Sequence, residues 1–420
     1  MSQKLFRNAK IYSSVDEGRP QAGKAQGGLV HFQNGALLVD DGLIVAIGEE
    51  KNIRTSANLA GEVQEVDCGG RCMVPGFVDP HTHMCFAAKR EEEFALRLEG
   101  TPYLEILRKG GGILSSVRGV AAAGERELYD NTLRHVQRAL SLGTTTLEIK
   151  SGYGLDTENE MKMLRVIGQV AAGTPLDIVA TFLGAHAVPG EYKENPDAFI
   201  DMIVDEMLPL VKEQGIARFC DVFCETGVFT LEQSRRLLKA AQAMGMGLKI
   251  HADEVNDLGG AGLAAELGAC SADHLLAASE TNIKAMSRAG VIATLLPATA
   301  YSLRKSYAKA RLMIENGVPV ALATDCNPGS SYTESMQFVI GLAVLNMHMT
   351  PAEALTGATL NSAYALNIAA RVGSLDIGKQ ADFLLLEGET PAIFAYHAGV
   401  SSVTTVYKKG REVQLSGSSL

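Results

Sequence analysis

The stretch MVPGFVDPHTH, residues 73–83, runs from an apolar, partly β-branched segment straight into two histidines one residue apart. A short apolar run of this kind reads as a buried strand, and in an extended chain residues i and i+2 project to the same side. His81 and His83 are therefore placed to reach one ion together. Alone the pair is a weak signal, because nine histidines in 420 residues produce an H-x-H by chance about one time in five. Its weight comes from what recurs downstream.

Apolar, β-branched runs follow one another roughly every 25 to 40 residues, each succeeded by a helical pattern, which is the mark of repeated βα units. Eight can be read: MVPGFVDP, TTTLEIK, LDIVATFLG, FCDVFC, GLKIH, CSADHL, GVIATLL and VPVALATD. Eight parallel strands with helices between them predict an α/β fold, a (β/α)8 TIM-like barrel. His251 ends the fifth run, His274 the sixth and Asp325 the eighth, so residues able to bind metal recur at matching strand ends. Thr157-Glu-Asn-Glu160 reads as a capping box opening the helix after the second run. Ser151 to Asp156 is then a loop on the face where barrel active sites are built.

Outside the barrel, residues from Leu5 to about Asp67 read as short strands with turn signals at Asn34-Gly35 and Asp41-Gly42. GKQADFLLLEGETP and SSVTTVYKKGREVQL near the other end have the same character. The expectation is a small discontinuous β-sandwich domain from residues 1–71 and 367–420, flanking a catalytic barrel of residues 72–366.

A hydrophobic fraction of 46%, 43 glycines and 20% charged residues suit a folded α/β protein. The formal net charge of −10 opposes phosphate backbones, so no nucleic-acid partner is expected. An anionic small-molecule substrate would need a local cation, and Arg90, in the loop after the histidine pair, can supply a planar two-point contact. Seven cysteines without a C-x-x-C pair predict reduced thiols. MSQKLFRNAKIYSSV has no apolar run of signal-peptide length, and no stretch has the length of a membrane span, so a cytoplasmic protein without membrane contact is expected.

Imidazoles with one carboxylate make a borderline-hard site suited to Zn²⁺ or Fe²⁺, with an open position for a water acidified to a pKa of about 7. Glu254 in HADE stands where strand passes into loop and can move protons between that water and a leaving nitrogen. Asp325 can bind metal and orient water. His274 either polarises a carbonyl or is an ordinary strand-end histidine. Tyr153, between glycines in the loop after the second run, is a pocket candidate, and His186 at the end of the third run reads equally as pocket or core. Gly110-Gly111-Gly112 lacks the Lys-Ser/Thr of a phosphate loop and reads as a flexible connection. His31, His135, His348 and His397 have no partner pattern and read as structural.

PGFVDPHTH, HADE, ADH and ATDCNPG at successive strand ends, with GKQADFLLL near the far end, resemble the amidohydrolase superfamily over nearly the whole chain. KSGYGL at 150–155, FLGAH at 182–186, HADE at 251–254 and DCNPGS at 325–330 are most similar to the branch that opens the imidazolone ring in histidine degradation. The resemblance implies hydrolysis of the cyclic amide bond of 4-imidazolone-5-propanoate to N-formimidoyl-L-glutamate, with one divalent ion per chain, zinc or iron. It implies His81, His83, His251 and Asp325 as ligands, and Glu254, His274 and Asp325 as catalytic residues. Arg90, Tyr103, Tyr153, His186, Glu254, Asn327, Gly329 and Ser330 match substrate-contacting positions, and the family favours a homodimer. Many superfamily members bridge two metals with a carboxylated lysine on the fourth strand. FCDVFCE has none, so a single metal is expected, and Lys150 reads as structural or pocket-lining. A ring deaminase of the same superfamily is the alternative, separable by ammonia release. A partner protein that had lost its chemistry would not be expected to keep every ligand.

Overall fold

The computed structural model describes residues 3–56, 63–101, 105 and 110–414. All eight apolar runs supply strands of one sheet: Phe77–Asp79, Thr144–Lys150, Asp177–Ala185, Ala217–Cys224, Gly247–Ala252, Ser271–His274, Ile292–Leu295 and Val320–Leu322. They pair in chain order, each parallel to the next. The first and last strands are joined by the metal-binding candidates themselves. Thr82 bridges Cys326 in parallel, the Asp325 amide donates to the His81 carbonyl at 3.0 Å, and the His83 amide donates to the Cys326 carbonyl at 2.9 Å. The H-x-H segment is thus the seam of the barrel, held extended by main-chain bonds on both sides.

Helices between the strands turn their apolar stripes onto the sheet. In Thr157–Ala172 the buried residues include Met163, Leu164, Ile167 and Val170, spaced by three and four. Its start differs from the sequence expectation. Asp156, not Thr157, caps the helix by accepting from the Asn159 amide, and Glu160 turns away from the helix end. The Glu160 carboxylate accepts instead from the amides of Gly152, Gly154 and Leu155, because that loop's buried N–H groups have no strand to pair with.

Both termini build one mixed sheet, in the order Arg411–Glu412, Val403–Lys408, Phe383–Leu386, Cys72–Pro75, Lys4–Ser14, Leu29–Asp40, Leu43–Glu49, with Gln64–Asp67 also pairing Lys4–Ser14. Phe6 from one end meets Phe383 and Tyr407 from the other at ring centroid distances of 4.8 and 5.0 Å, within a common core. The run read as one strand, MVPGFVDP, is divided between the two sheets at Gly76, where an added Cβ would collide with the Thr145 side chain. Asp41-Gly42 is a hairpin turn, with both residues at positive φ as a type I′ turn requires. Asn34-Gly35 is not. It lies inside Leu29–Asp40, where a Cβ on Gly35 would come within 2.7 Å of Ile11, so the glycine serves close packing rather than reversal. Among the described residues, no helix is long and apolar enough to cross a membrane.

Candidate active site

Strand alternation brings the candidate ligands together. His81 and His83 project inward from the seam while Thr82, between them, donates its hydroxyl to the Glu148 carbonyl at 2.5 Å. His251 arrives from the fifth strand. The Nε2 atoms of His81 and His83 are 3.2 Å apart, those of His83 and His251 3.4 Å, and Asp325 Oδ1 stands 3.6 and 3.5 Å from the first two. These four separations are close to the roughly 3.3–3.4 Å expected between two donors on bonds of about 2.0–2.1 Å to one ion, and a ring nitrogen of His274 also lies within 4.8 Å of His81 and Asp325. Burial, with the Lys150 charge beside His81 and His186 beside His83, holds both imidazoles well below their ordinary pKa and therefore neutral. Neutral imidazoles crowded Nε2 to Nε2 offer lone pairs that a cation would engage. The donor set fits a divalent ion.

His274 and Asp325 require special backbone. Both have positive φ, 76° and 54°, which few non-glycine residues adopt. The reason is visible at the sixth strand. Asp273 points inward beneath His81, and strict alternation would send His274 outward. The left-handed turn returns its ring to the site, 5.4 Å from His81 and 5.3 Å from His251. His274 Nδ1 is buried without a hydrogen-bond partner and lies 3.9 Å from Glu254 Oε1. Thr299 holds the other carboxylate oxygen of Asp325 at 2.5 Å.

Below the histidines lies a layer that strand patterning did not predict. Glu148, Lys150, Asp221, Lys249 and Asp273 are all fully buried in the barrel interior, which in this fold is ordinarily filled by branched apolar residues. The Lys150 ammonium sits 2.8 Å from both Glu148 and Asp221 and 3.8 Å from Asp273, and Lys249 is 3.0 Å from Glu148. Two carboxylates of this layer back the ligands: Asp273 is 2.6 Å from His81 Nδ1, and Asp221 3.0 Å from His251 Nδ1. Such contacts fix the ring orientation and leave Nε2 facing the cluster, where a cation would sit. The signal was available, since FCDVFC, CSADHL, GLKIH and TTTLEIK each carry a charge inside an apolar run.

Around the mouth, His186 stacks on His83 at 4.9 Å, its Nδ1 3.0 Å from the Gly152 carbonyl and its pKa pushed down to about 3 by burial. Tyr153, buried, lies 5.9 Å from the His83 ring and 5.4 Å from His186. Arg90 borders a cleft of about 590 Å³ with Gly329 and Ser331, but its guanidinium already engages Glu93 through Nε at 3.0 Å and Nη2 at 2.7 Å. Glu93 also accepts from the Gly112 amide, so the Gly110–Gly112 stretch is tethered to Arg90. The Asn327 side chain is engaged in its own loop, accepting from the amides of Gly329 and Ser330 and donating to the Asp325 carbonyl and Ser330 Oγ. Tyr103 lies outside the described residues. His135 pairs with Glu334 beside Cys326, the residue after Asp325, His397 pairs with Glu387, and all seven cysteines are free.

The amidohydrolase family model matches residues 72–413. A protein of Desulfotalea psychrophila named imidazolonepropionase is 78% identical over 413 residues, 98% of this chain and 100% of its own length. One of Syntrophobacter fumaroxidans with the same name is 61% identical, over 99% of this chain and 98% of its own length. Among solved structures, a zinc-bound adenosine deaminase from Xanthomonas campestris superposes with a TM-score of 0.71 at 18% identity, covering 98% of this chain and 92% of its own. A 5-methylcytosine deaminase from Klebsiella pneumoniae has the same TM-score at 16% identity, covering 98% of each chain. At those identities the likeness is one of fold.

Proposed function

The chain belongs to the amidohydrolase family and, within it, to the imidazolonepropionases, and from that premise we propose how its residues divide the work. The reaction is hydrolysis of the cyclic amide bond of 4-imidazolone-5-propanoate to N-formimidoyl-L-glutamate. The observation that carries the assignment of roles is the clustering of His81, His83, His251 and Asp325, in which His83 Nε2 stands 3.2 to 3.5 Å from a donor atom of each of the other three. These four hold one divalent ion, zinc or iron, which when bound supplies Lewis-acid polarisation and acidifies water. His274 directs a hydrogen bond to the amide carbonyl oxygen, stabilising the charge that develops there. Glu254 takes a proton from the attacking water and returns it to the ring nitrogen as the C–N bond breaks. Asp325 orients the water.

Arg90 receives the propionate carboxylate on the guanidinium edge not used by Glu93, with Tyr153, His186, Gly329 and Ser330 as the pocket wall and Asn327 shaping the loop they share. Arg90→Ala is expected to lower kcat/KM about tenfold to over a hundredfold, since charge-assisted hydrogen bonds contribute roughly 1.5–3 kcal/mol. Metal content should not change, and Arg90→Lys should rescue poorly. Because the substitution also frees Glu93, the deciding measurement uses an analogue without the carboxylate. An equal loss on both compounds would remove Arg90 from carboxylate recognition.

The reading as a whole is tested by turnover of freshly made imidazolone propionate, with ammonia followed in parallel and metal counted by elemental analysis. One equivalent of metal and no ammonia are expected. Ammonia release would favour a deaminase, and two equivalents, both lost in His81→Ala, would contradict a single centre. We also propose that residues 1–71 and 367–420, joined by the strand Cys72–Pro75 of their common sheet, act as one unit beside a catalytic unit formed by the rest of 72–366, and that the enzyme is a cytoplasmic homodimer. The family resemblance supports the dimer.

A further inference from the structure

We propose that Glu225 is a positioning residue for Glu254: its carboxylate grips the main chain just beyond Glu254 and so sets where the proton-moving group stands. The proposal rests on the assignment of proton transfer to Glu254. Glu225 directly follows the fourth barrel strand, Ala217–Cys224, and is 4% exposed. Its Oε2 accepts from the Val255 amide at 2.9 Å and the Asn256 amide at 3.3 Å, while Oε1 accepts from Asn256 Nδ2 at 2.9 Å and the Thr226 amide at 2.8 Å. Among the described residues no lysine or arginine forms an ion pair with it. All four contacts are N–H donors, and although burial raises its pKa, these bonds outweigh burial and hold the group below the usual carboxylate range.

The need for such a grip follows from the loop's construction. On the preceding side, Asp253 is anchored by the amides of Gly259, Gly260 and Ala261 at 2.9 to 3.0 Å and carries a positive φ of 50°. On the following side Val255 is 56% exposed, so apolar burial does not hold the chain there. Glu225 holds Val255 and Asn256 there through three hydrogen bonds. Freed at that end, the loop can shift while the anchor at Asp253 stays in place, carrying the Glu254 carboxylate away from the gap it shares with His274. Misplacement of a reacting group by about 1 Å can cost on the order of 10² in rate.

Glu225→Gln preserves shape but turns an amide NH₂ against N–H donors. It is expected to lower kcat about 10- to 100-fold with KM within threefold of wild type and metal content unchanged. In a Glu254→Gln background the same substitution should cost less than about twofold, because the group it positions can no longer transfer a proton. An equal cost in both backgrounds, or a wild-type kcat in Glu225→Gln, would overturn the proposal. Near-normal turnover of Glu254→Gln alone would instead sink the assignment on which the proposal rests. Should Glu225→Gln not fold, Asn256→Ala removes a single bond of the grip, and a two- to tenfold loss of kcat that vanishes in the Glu254→Gln background is expected. A loss that persists there would count against Glu225.

Discussion

Glu254→Gln is expected to lower kcat by about 10² to 10⁴, with metal content and KM near wild type. Glutamine keeps the shape and the hydrogen-bonding reach but cannot take up and return a proton. The site puts the carboxylate at the junction of the fifth strand and its loop, partly exposed toward the mouth, with Oε1 3.9 Å from His274 Nδ1. That gap is too long for a hydrogen bond and leaves a buried imidazole nitrogen unsatisfied, as expected where a third group must enter between them. Steady-state turnover with metal assayed on the same sample checks the point. A kcat within threefold of wild type would remove Glu254 from the mechanism.

Replacing Lys150 by methionine is expected to destabilise the fold by about 3–5 kcal/mol, the cost of breaking a buried ion pair from one side. Two ammoniums, Lys150 and Lys249, stand against three carboxylates, Glu148, Asp221 and Asp273, all without solvent access. Losing one cation adds one uncompensated negative charge in a region where water cannot screen it. Denaturant midpoints should be compared in the presence of chelator, so that altered metal affinity does not enter through binding linkage. Lys150→Met with Asp221→Asn should recover part of the loss, because the pair is then removed rather than broken. A change under about 1 kcal/mol in the single variant would show that Lys150 does not neutralise this layer.

The same pair of observations separates what could be read along the chain from what could not. The barrel was legible because its signal is local and repeated: eight apolar runs of strand length, each ending in turn chemistry, leave little choice of architecture. The metal-site candidates were legible for a related reason. Side chains at the carboxyl ends of parallel strands converge on one face whatever the intervening helices contain, so noting His81, His83, His251, His274 and Asp325 at run ends was enough to group them. Arg90 and Tyr153 were reachable only as members of loops on that face, and the Glu93 contact that now occupies Arg90 depends on side-chain packing the chain order does not express.

Where local reading failed, a long-range demand had outcompeted a local one. Thr157 to Glu160 spells a capping box, yet Glu160 serves three loop amides in the interior, where an unpaired N–H costs more than one at an exposed helix end. Asn34-Gly35 spells a turn, yet Ile11 from a neighbouring strand claims the space above the glycine. The interior charges at Glu148, Lys150, Asp221, Lys249 and Asp273 were visible one at a time as misfits in apolar runs, but their meaning is a matter of pairing across four strands. Sequence determined the fold class, the active face and the residue types available for chemistry. Tertiary structure alone decided which charges neutralise one another, which carboxylates steady the loops, and that the H-x-H segment is itself the seam closing the barrel, because each of these is set by distances between residues far apart in the chain.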